Sequence, residues 1–236
     1  MSGPVCAVFA SYNIHGGVGG DGHFVPNRIV DVLRELQADV IGLQEVESRA
    51  TGFDMLEFLS RQTGLHGISG PTLLGAGGDY GNALLSRHAV LSERRIDISY
   101  PHREPRGAID AELDIGGVAV RVINTHLGLY PAERRHQVQQ LLDIFEHERE
   151  LPTIFMGDLN EWFLYGRPLR WLHRHFEPTP ACASFPSRLP LLALDRIWMR
   201  PRSMLQEIRV HRSAAARMAS DHLPLLARIA LPGERA

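Results

Sequence analysis

From Tyr80 to Ile123 the chain strings short β-prone segments together with no interval long enough for a helix, and this stretch constrains the fold most. Such a run reads as an antiparallel meander, and Gly116-Gly117 between Ile115 and Val118 is a hairpin turn signal. On either side the pattern changes. Apolar and β-branched runs recur at Val5 to Ala10, Val40 to Leu43, Ala83 to Leu85, Val118 to Ile123, Ile154 to Met156 and Leu223 to Leu231. Helical periodicity separates several of them. Pro26 to Leu36 places Ile29, Val32, Leu33 and Leu36 on one face, with Pro26 suited to a first turn. Pro131 to His147 does the same with Val138, Leu141, Leu142 and Phe145, while Phe53 to Leu59 is a weaker helix. Strand–helix–strand units around an antiparallel region argue for mixed sheets covered by helices.

The 236 residues suit one α/β domain spanning 1–236 rather than two. All 25 basic residues are arginine, against 27 acidic ones, so the net charge of −2 gives no broad attraction for polyanions. A duplex nuclease is therefore disfavoured, and nucleic acid is a conceivable partner that charge does not support. Two cysteines make no disulfide framework, and Cys6, inside an apolar run, is expected to be buried and reduced. No secretory signal or ~20-residue apolar span is evident. A cytoplasmic monomer is the default expectation. The glycine-rich pieces Gly16 to Gly22 and Gly75 to Gly78 read as loops, without the Gly-Lys-Ser/Thr ending of a phosphate-binding P-loop.

Polar residues cluster where the apolar runs begin or end. The stretches are Ser11-Tyr12-Asn13, Leu43-Gln44-Glu45, Asn124-Thr125-His126, Gly157-Asp158-Leu159-Asn160 and Ser220-Asp221-His222, with Leu194-Asp195-Arg196 between the last two. Three of the chain's five asparagines lie inside them. In open α/β sheets functional groups gather beyond the carboxyl ends of parallel strands. Asn13, Glu45, His126, Asp158 and Asn160 each follow an apolar run, whereas Asp195 begins one and Asp221-His222 precede another. The start of an antiparallel strand lies on the same rim as its neighbours' ends, so both kinds of position can converge.

The chemistry that such a rim supports is phosphoester hydrolysis. A hard cation takes carboxylates, water and phosphate oxygens; Glu45 is the leading ligand, with Asp221 sharing or bridging. Asp158 and Asn160, two residues apart, share a face of extended backbone, one to orient water and the other to hold a phosphate oxygen. His222 forms a dyad with an aspartate, Asp195 or Asp221, which spacing leaves open. His126 can donate a proton or a hydrogen bond. Each also has a plainer reading: Glu45 as a solvated strand end, Asp158 and Asn160 as a Gly-Asp turn with an Asx cap, the Asp-His as a loop pair, and His126 as structural.

In this order the stretches resemble the endonuclease/exonuclease/phosphatase superfamily, which includes DNase I-like nucleases, AP endonucleases, inositol polyphosphate 5-phosphatases and neutral sphingomyelinases. The resemblance implies a four-layer α/β sandwich, two mixed sheets face to face with helices outside. It implies that Glu45 binds Mg²⁺ or Mn²⁺, Asn13 supports metal and phosphate, and Asp158 orients the water with Asn160 on the phosphate. Asp195 would buttress His222 at the scissile phosphate, Asp221 would sit beside the metal, and His126 matches the histidine of several branches. AP endonucleases usually carry tyrosine where His126 stands and aspartate where His15 follows Asn13, which puts abasic-site repair in doubt. Glu104-Pro105-Arg106-Gly107-Ala108 looks like a bacterial branch; Arg106 would reach the phosphate, and Tyr80 and Asn82 would line the cleft. Trp162 is expected to anchor its loop. The expected activity is a metal-dependent phosphodiesterase. A phosphomonoesterase is the alternative, and an inactive phospho-ligand or protein-binding relative is the alternative from another class. The latter predicts a lost ligand, and none is missing. A calcineurin-like site would need Asp-x-His and Gly-Asn-His blocks, and a serine hydrolase a Gly-x-Ser-x-Gly elbow; the chain has neither.

Overall fold

Two parallel strands form the spine of the first sheet. β1 (Val5–Asn13) and β2 (Val40–Arg49) pair from Phe9 opposite Val40 to Asn13 opposite Gln44. A parallel pair needs a crossover connection, supplied by α1 (Pro26–Leu36), whose Ile29, Val32, Leu33 and Leu36 are all buried. The chain continues through β3 (Phe53–Asp54), α2 (Met55–Thr63), β4 (His66–Leu73), β5 (Tyr80–Ser86), β6 (Ala89–Asp97), β7 (Gly107–Ile115), β8 (Val118–His126) and α3 (Pro131–Glu146). It ends with β9 (Thr153–Asp158), α4 (Arg167–Phe176), β10 (Asp195–Arg200), β11 (Leu205–Val210), α5 (Ala214–Ala219) and β12 (Leu225–Leu231). The computed structural model describes residues 5–49, 52–75, 78–146 and 150–231.

The first sheet has the order β11-β12-β1-β2-β5-β4, with β3 beside β2, and the second β10-β9-β8-β7-β6. Period-two alternation stacks them. In β1, Ala7 and Phe9 join an apolar layer with Ile109, Val122, Ile154 and Ile197 of the second sheet, whereas Ala10 and Tyr12 pack toward α1, α2 and α5. The far face of the second sheet is covered by α3 and α4 through Val138, Leu141, Leu169, Leu172 and Phe176. The result is the four-layer sandwich expected. Fully burying a side chain such as Phe9 or Ile154 is worth about 1.5–3 kcal/mol, so sheets buried on both faces must be apolar nearly throughout. The meander holds only from β6 onward, where β6, β7 and β8 pair antiparallel in sequence and Gly116 and Gly117 turn at φ +64° and +86°. β5, expected to begin it at Tyr80, instead pairs with β2 and β4 in the first sheet.

Three local readings change. Cys6 shares the parity of Val8 and Ala10 but sits at the open end of β1 and is exposed. The weak helix at Phe53 starts later, because Phe53 and Asp54 pair with β2 and the Asp54 carboxylate caps α2 by accepting the Glu57 N–H at 2.8 Å. The last strand starts at Leu225, after Pro224. The end of the third helix at His147 and part of the Gly75 to Gly78 loop lie outside the described residues. Among the described residues, no helix is long and apolar enough to cross a membrane.

Candidate active site

Alternation that carries Val122 and Ile154 into the layer between the sheets also carries His126 and Asp158, at the ends of β8 and β9, to its rim. Asn13 arrives from β1 with the same parity as Phe9. Glu45 should not join them, since Ile41 and Leu43 face the helices. A β-bulge corrects this. The β2–β5 register shifts between Leu43 and Val46, and Glu45 takes a left-handed backbone at φ +57°, which restores Val46 to the helix side and frees Glu45 for the cleft. Asn124 braces the bulge from the facing sheet: its Nδ2 donates to Leu43 O and Ala83 O at 2.9 Å each, and its Oδ1 accepts from Gln44 Nε2 at 2.7 Å. Gly42 leaves room for it, because a Cβ there would lie 2.7 Å from Asn124 Oδ1.

One oxygen lies at the centre. Asp158 Oδ2 accepts from Asn13 Nδ2 at 3.0 Å and lies 3.5 Å from His126 Nε2 and 3.6 Å from His222 Nε2. The Asn13 amide also donates to Glu45 Oε1 at 2.9 Å, so one side chain ties the two sheets' carboxylates together. The Asn160 N–H donates to Asp158 Oδ1 at 2.9 Å, and Asn160 itself sits at φ +50°. Its side chain reaches the Leu127 carbonyl at 2.9 Å and the His126 ring at 3.0 Å.

The dyad left open by spacing forms with Asp195, whose Oδ2 lies 2.9 Å from His222 Nδ1. Ser184 Oγ donates to the same oxygen, and the other oxygen of Asp195 is buried without a partner. Burial by itself would lower the His222 pKa, but Asp195, then Asp158, then Asp221 overcome it and carry the ring up to about 10. His222 is therefore an imidazolium near neutrality, with Nε2–H aimed at Asp158. His126 is the opposite case. Burial is the largest influence, and Arg106 adds to it against the pull of Asp158, so the pKa drops to about 3. Arg106 donates to His126 Nδ1 at 3.0 Å. A guanidinium can only donate, which favours a proton on Nε2. The Asn160 Nδ2 amide, which lies 3.0 Å from Nε2 and donates to Leu127 O, favours one on Nδ1, so the two donors compete for the neutral ring.

Glu45 is raised above the usual carboxylate range, first by burial and then by Asp158 and Asp221, against the Asn13 hydrogen bond. Mutually repelling oxygens that strain the backbone to meet are a donor set suited to a hard cation. Asp221 is half exposed, 4.0 Å from the His15 ring. Tyr80 places its phenol against Glu45, and burial with that charge raises its pKa. Asp158, Asp195 and His222 also offer ligand atoms within 4.8 Å of one another. His222 Nδ1 is already taken by Asp195, so this trio reads as a proton-holding chain.

The remaining assignments are more structural than the sequence suggested. Arg106 is buried and held between His126 and Glu104, whose Oε2 is 3.3 Å away. Asn82 donates to Gly107 O at 2.9 Å and so links the sheets. Trp162 anchors nothing: it is 63% exposed, because its loop is held by Glu161 instead. Sequence reasoning missed Ser184 and Phe185, whose ring centroid is 4.8 Å from that of His222. Nothing in Ala183-Ser184-Phe185 sets it apart from other loop sequence.

Comparison with known proteins points the same way. The family described as Endonuclease/Exonuclease/phosphatase family matches residues 10–222. The uncharacterized protein YbhP of Escherichia coli K12 is 28% identical over 242 residues, covering 93% of this chain and 94% of that one. Exodeoxyribonuclease III of Haemophilus influenzae is 28% identical over 165 residues, 64% of this chain and 57% of that one. The crystal structure of an endonuclease/exonuclease/phosphatase from Beutenbergia cavernae superposes with a TM-score of 0.80 at 22% identity, over 97% of this chain and 72% of that one.

Proposed function

Because the chain belongs to the endonuclease/exonuclease/phosphatase family, we propose that it is a divalent-metal-dependent hydrolase of phosphodiesters, with water attacking phosphorus directly. The observation that carries this reading is the position of Asp158 Oδ2, flanked at 3.5 and 3.6 Å by one neutral and one cationic histidine. Glu45, with Asn13 and Asp221 beside it, would hold Mg²⁺ or Mn²⁺. When bound, the cation supplies charge neutralisation at the phosphoryl oxygens and acidifies water.

The chain's own groups do the rest. Asp158 orients the attacking water and accepts its proton, while Asn13 fixes the carboxylate in place. His222, kept cationic by Asp195, donates Nε2–H to a phosphoryl oxygen and steadies the charge building there. His126, kept neutral, faces the site with its Nε2 edge, and Asn160 adds its amide. The single cationic side chain next to Asp158 favours the diester. His222 offers one positive charge, and the Arg106 guanidinium is already engaged by His126 and Glu104. That suits a singly charged diester better than a doubly charged monoester.

Purified protein should therefore hydrolyse bis-p-nitrophenyl phosphate with added Mg²⁺ or Mn²⁺, faster than p-nitrophenyl phosphate. EDTA or Glu45→Gln should stop it while leaving the fold intact by circular dichroism. Turnover undiminished in Glu45→Gln would refute the metal assignment, and a preference for the monoester would replace diester with monoester.

A further inference from the structure

Exposed apolar side chains are concentrated around the mouth of the site. Trp162, Phe163, Leu164 and Tyr165 are four consecutive residues exposed by 63%, 71%, 50% and 86%, and they begin two residues after Asn160. Leu129 and Tyr130, at 64% and 51%, project from the loop that follows His126. Across the cleft Leu189 and Leu191 are exposed by 66% and 71%. They lie in the loop that holds Phe185 on His222 and donates the Ser187 N–H to Asp221 O. Scattered single apolar residues need no explanation, but a cluster of this size marks an interaction surface.

The tips stand on a rigid base. Glu161 and Arg134, both buried, pair at 3.2 Å, and the Arg134 guanidinium also donates to Leu129 O at 2.6 Å. One ion pair thus locks the two loops to each other. Glu133 accepts the Tyr130 N–H at 3.3 Å, and its carboxylate packs so close to Gly128 that a Cβ there would lie 1.8 Å from it. The acids of these two loops are thereby consumed below the surface. What faces outward is apolar, bordered by arginines: Arg103 stacks 3.9 Å over the Tyr130 ring, and Arg167 is exposed just past Gly166, which ends the aromatic run. Glu104 next to Arg103 is engaged by Arg106.

We propose that this rim docks the catalytic mouth onto a phospholipid bilayer. Tryptophan and tyrosine with aliphatic neighbours suit the boundary between headgroups and acyl chains. Arginines at the border complement the plane of headgroup phosphates. A nucleic acid would instead require a cationic track, which a chain of net charge −2 does not offer here. On the hydrolase reading, on which this further step rests, the substrate is a headgroup phosphodiester presented at the membrane surface.

Of the three tryptophans, Trp198 is fully buried and Trp171 partly so, which makes Trp162 the exposed reporter. The full chain should co-sediment with phosphatidylcholine vesicles containing phosphatidylserine, with its fluorescence shifted to the blue and quenched by brominated phosphatidylcholine. The triple variant W162A/F163A/Y165A should bind the vesicles at least tenfold more weakly, while keeping its turnover of soluble bis-p-nitrophenyl phosphate. Wild-type protein that turns over the soluble diester without binding vesicles would overturn the docking and leave the hydrolase reading intact. Vesicle binding without any hydrolysis would leave the docking standing and sink that reading. Retention on single-stranded DNA or a dimer in sedimentation, either without vesicle binding, would give the rim to that occupant instead.

Discussion

The pockets of His126 and His222 are built alike and behave oppositely. Each ring is about 5% exposed, and each places Nε2 within 3.6 Å of the same oxygen of Asp158. They differ at Nδ1. Asp195 stands there in the His222 pocket and Arg106 in the His126 pocket, and the two rings part to about 10 and about 3. Burial pushes both rings toward neutrality, and only the carboxylate on the far nitrogen of His222 overcomes it. One pair of identical residues thus provides a fixed cation and a fixed neutral ring on either side of one carboxylate.

The strongest test removes what the pockets share. Asp158→Asn should cost about 10³-fold or more in kcat, toward the upper end for a positioned acid–base group. It should also lower the His222 pKa, read by NMR, because Asp158 helps hold that ring cationic. Turnover within tenfold of wild type would deny Asp158 its central place. Next comes the Asp195 side. Asp195→Asn should cost about 10²-fold. Since the active His222 is cationic, activity is lost as pH rises through its pKa, and removing Asp195 should move that alkaline limb of kcat/KM to lower pH. An unmoved limb would make Asp195 a scaffold residue.

The Arg106 side should give less. In Arg106→Met burial still holds His126 down, because desolvation is the larger cause, so its pKa should climb from about 3 yet stay below the ordinary 6.5. A loss of about tenfold is expected, below the ~10²-fold floor for a positioned acid–base group, with the acidic limb moving toward neutrality. A collapse in kcat comparable to Asp158→Asn would mean that Arg106 touches the phosphate itself.

Which parts of this division could be read from the sequence follows from distance along the chain. The rim was legible because apolar runs stop at Asn13, His126 and Asp158, and alternation then fixes which way each points. The left-handed turn at Glu45 was not, since a bulge is set by the facing sheet through Asn124, 79 positions away (124 − 45). Asp195 and Asp221 were equally plausible partners for His222 until the β9–β10 pairing set Asp195 opposite Asp158. The Arg106–His126 contact spans a strand pair, so no spacing announces it. Edge strands β4 and β11 were overlooked because half-exposed strands mix polar residues into the alternation. Trp162 was expected to anchor its loop, but the buried Glu161–Arg134 pair holds that loop and leaves Trp162 exposed.

The contrast between the histidines should persist, at its smallest scale, in stability without metal. His222 is raised in the folded protein, so its contribution is fully present below the unfolded value near 6.5 and is lost as pH rises toward about 10. His126 is depressed, so the unfolded chain takes up its proton first as pH falls. Its contribution is present above 6.5 and is lost as pH drops toward about 3. The two limbs bracket neutrality and have separate owners. Thermal midpoints measured in EDTA from pH 4 to pH 10 should therefore fall on both sides. His222→Gln should flatten only the alkaline limb, and His126→Gln only the acidic one, each by at least ~2 °C. The slope is the informative quantity, because either substitution also lowers the whole curve by disturbing a packed site. If one variant flattened both limbs, the rings would titrate as a single coupled unit through Asp158, and the separation set at their far nitrogens would not hold.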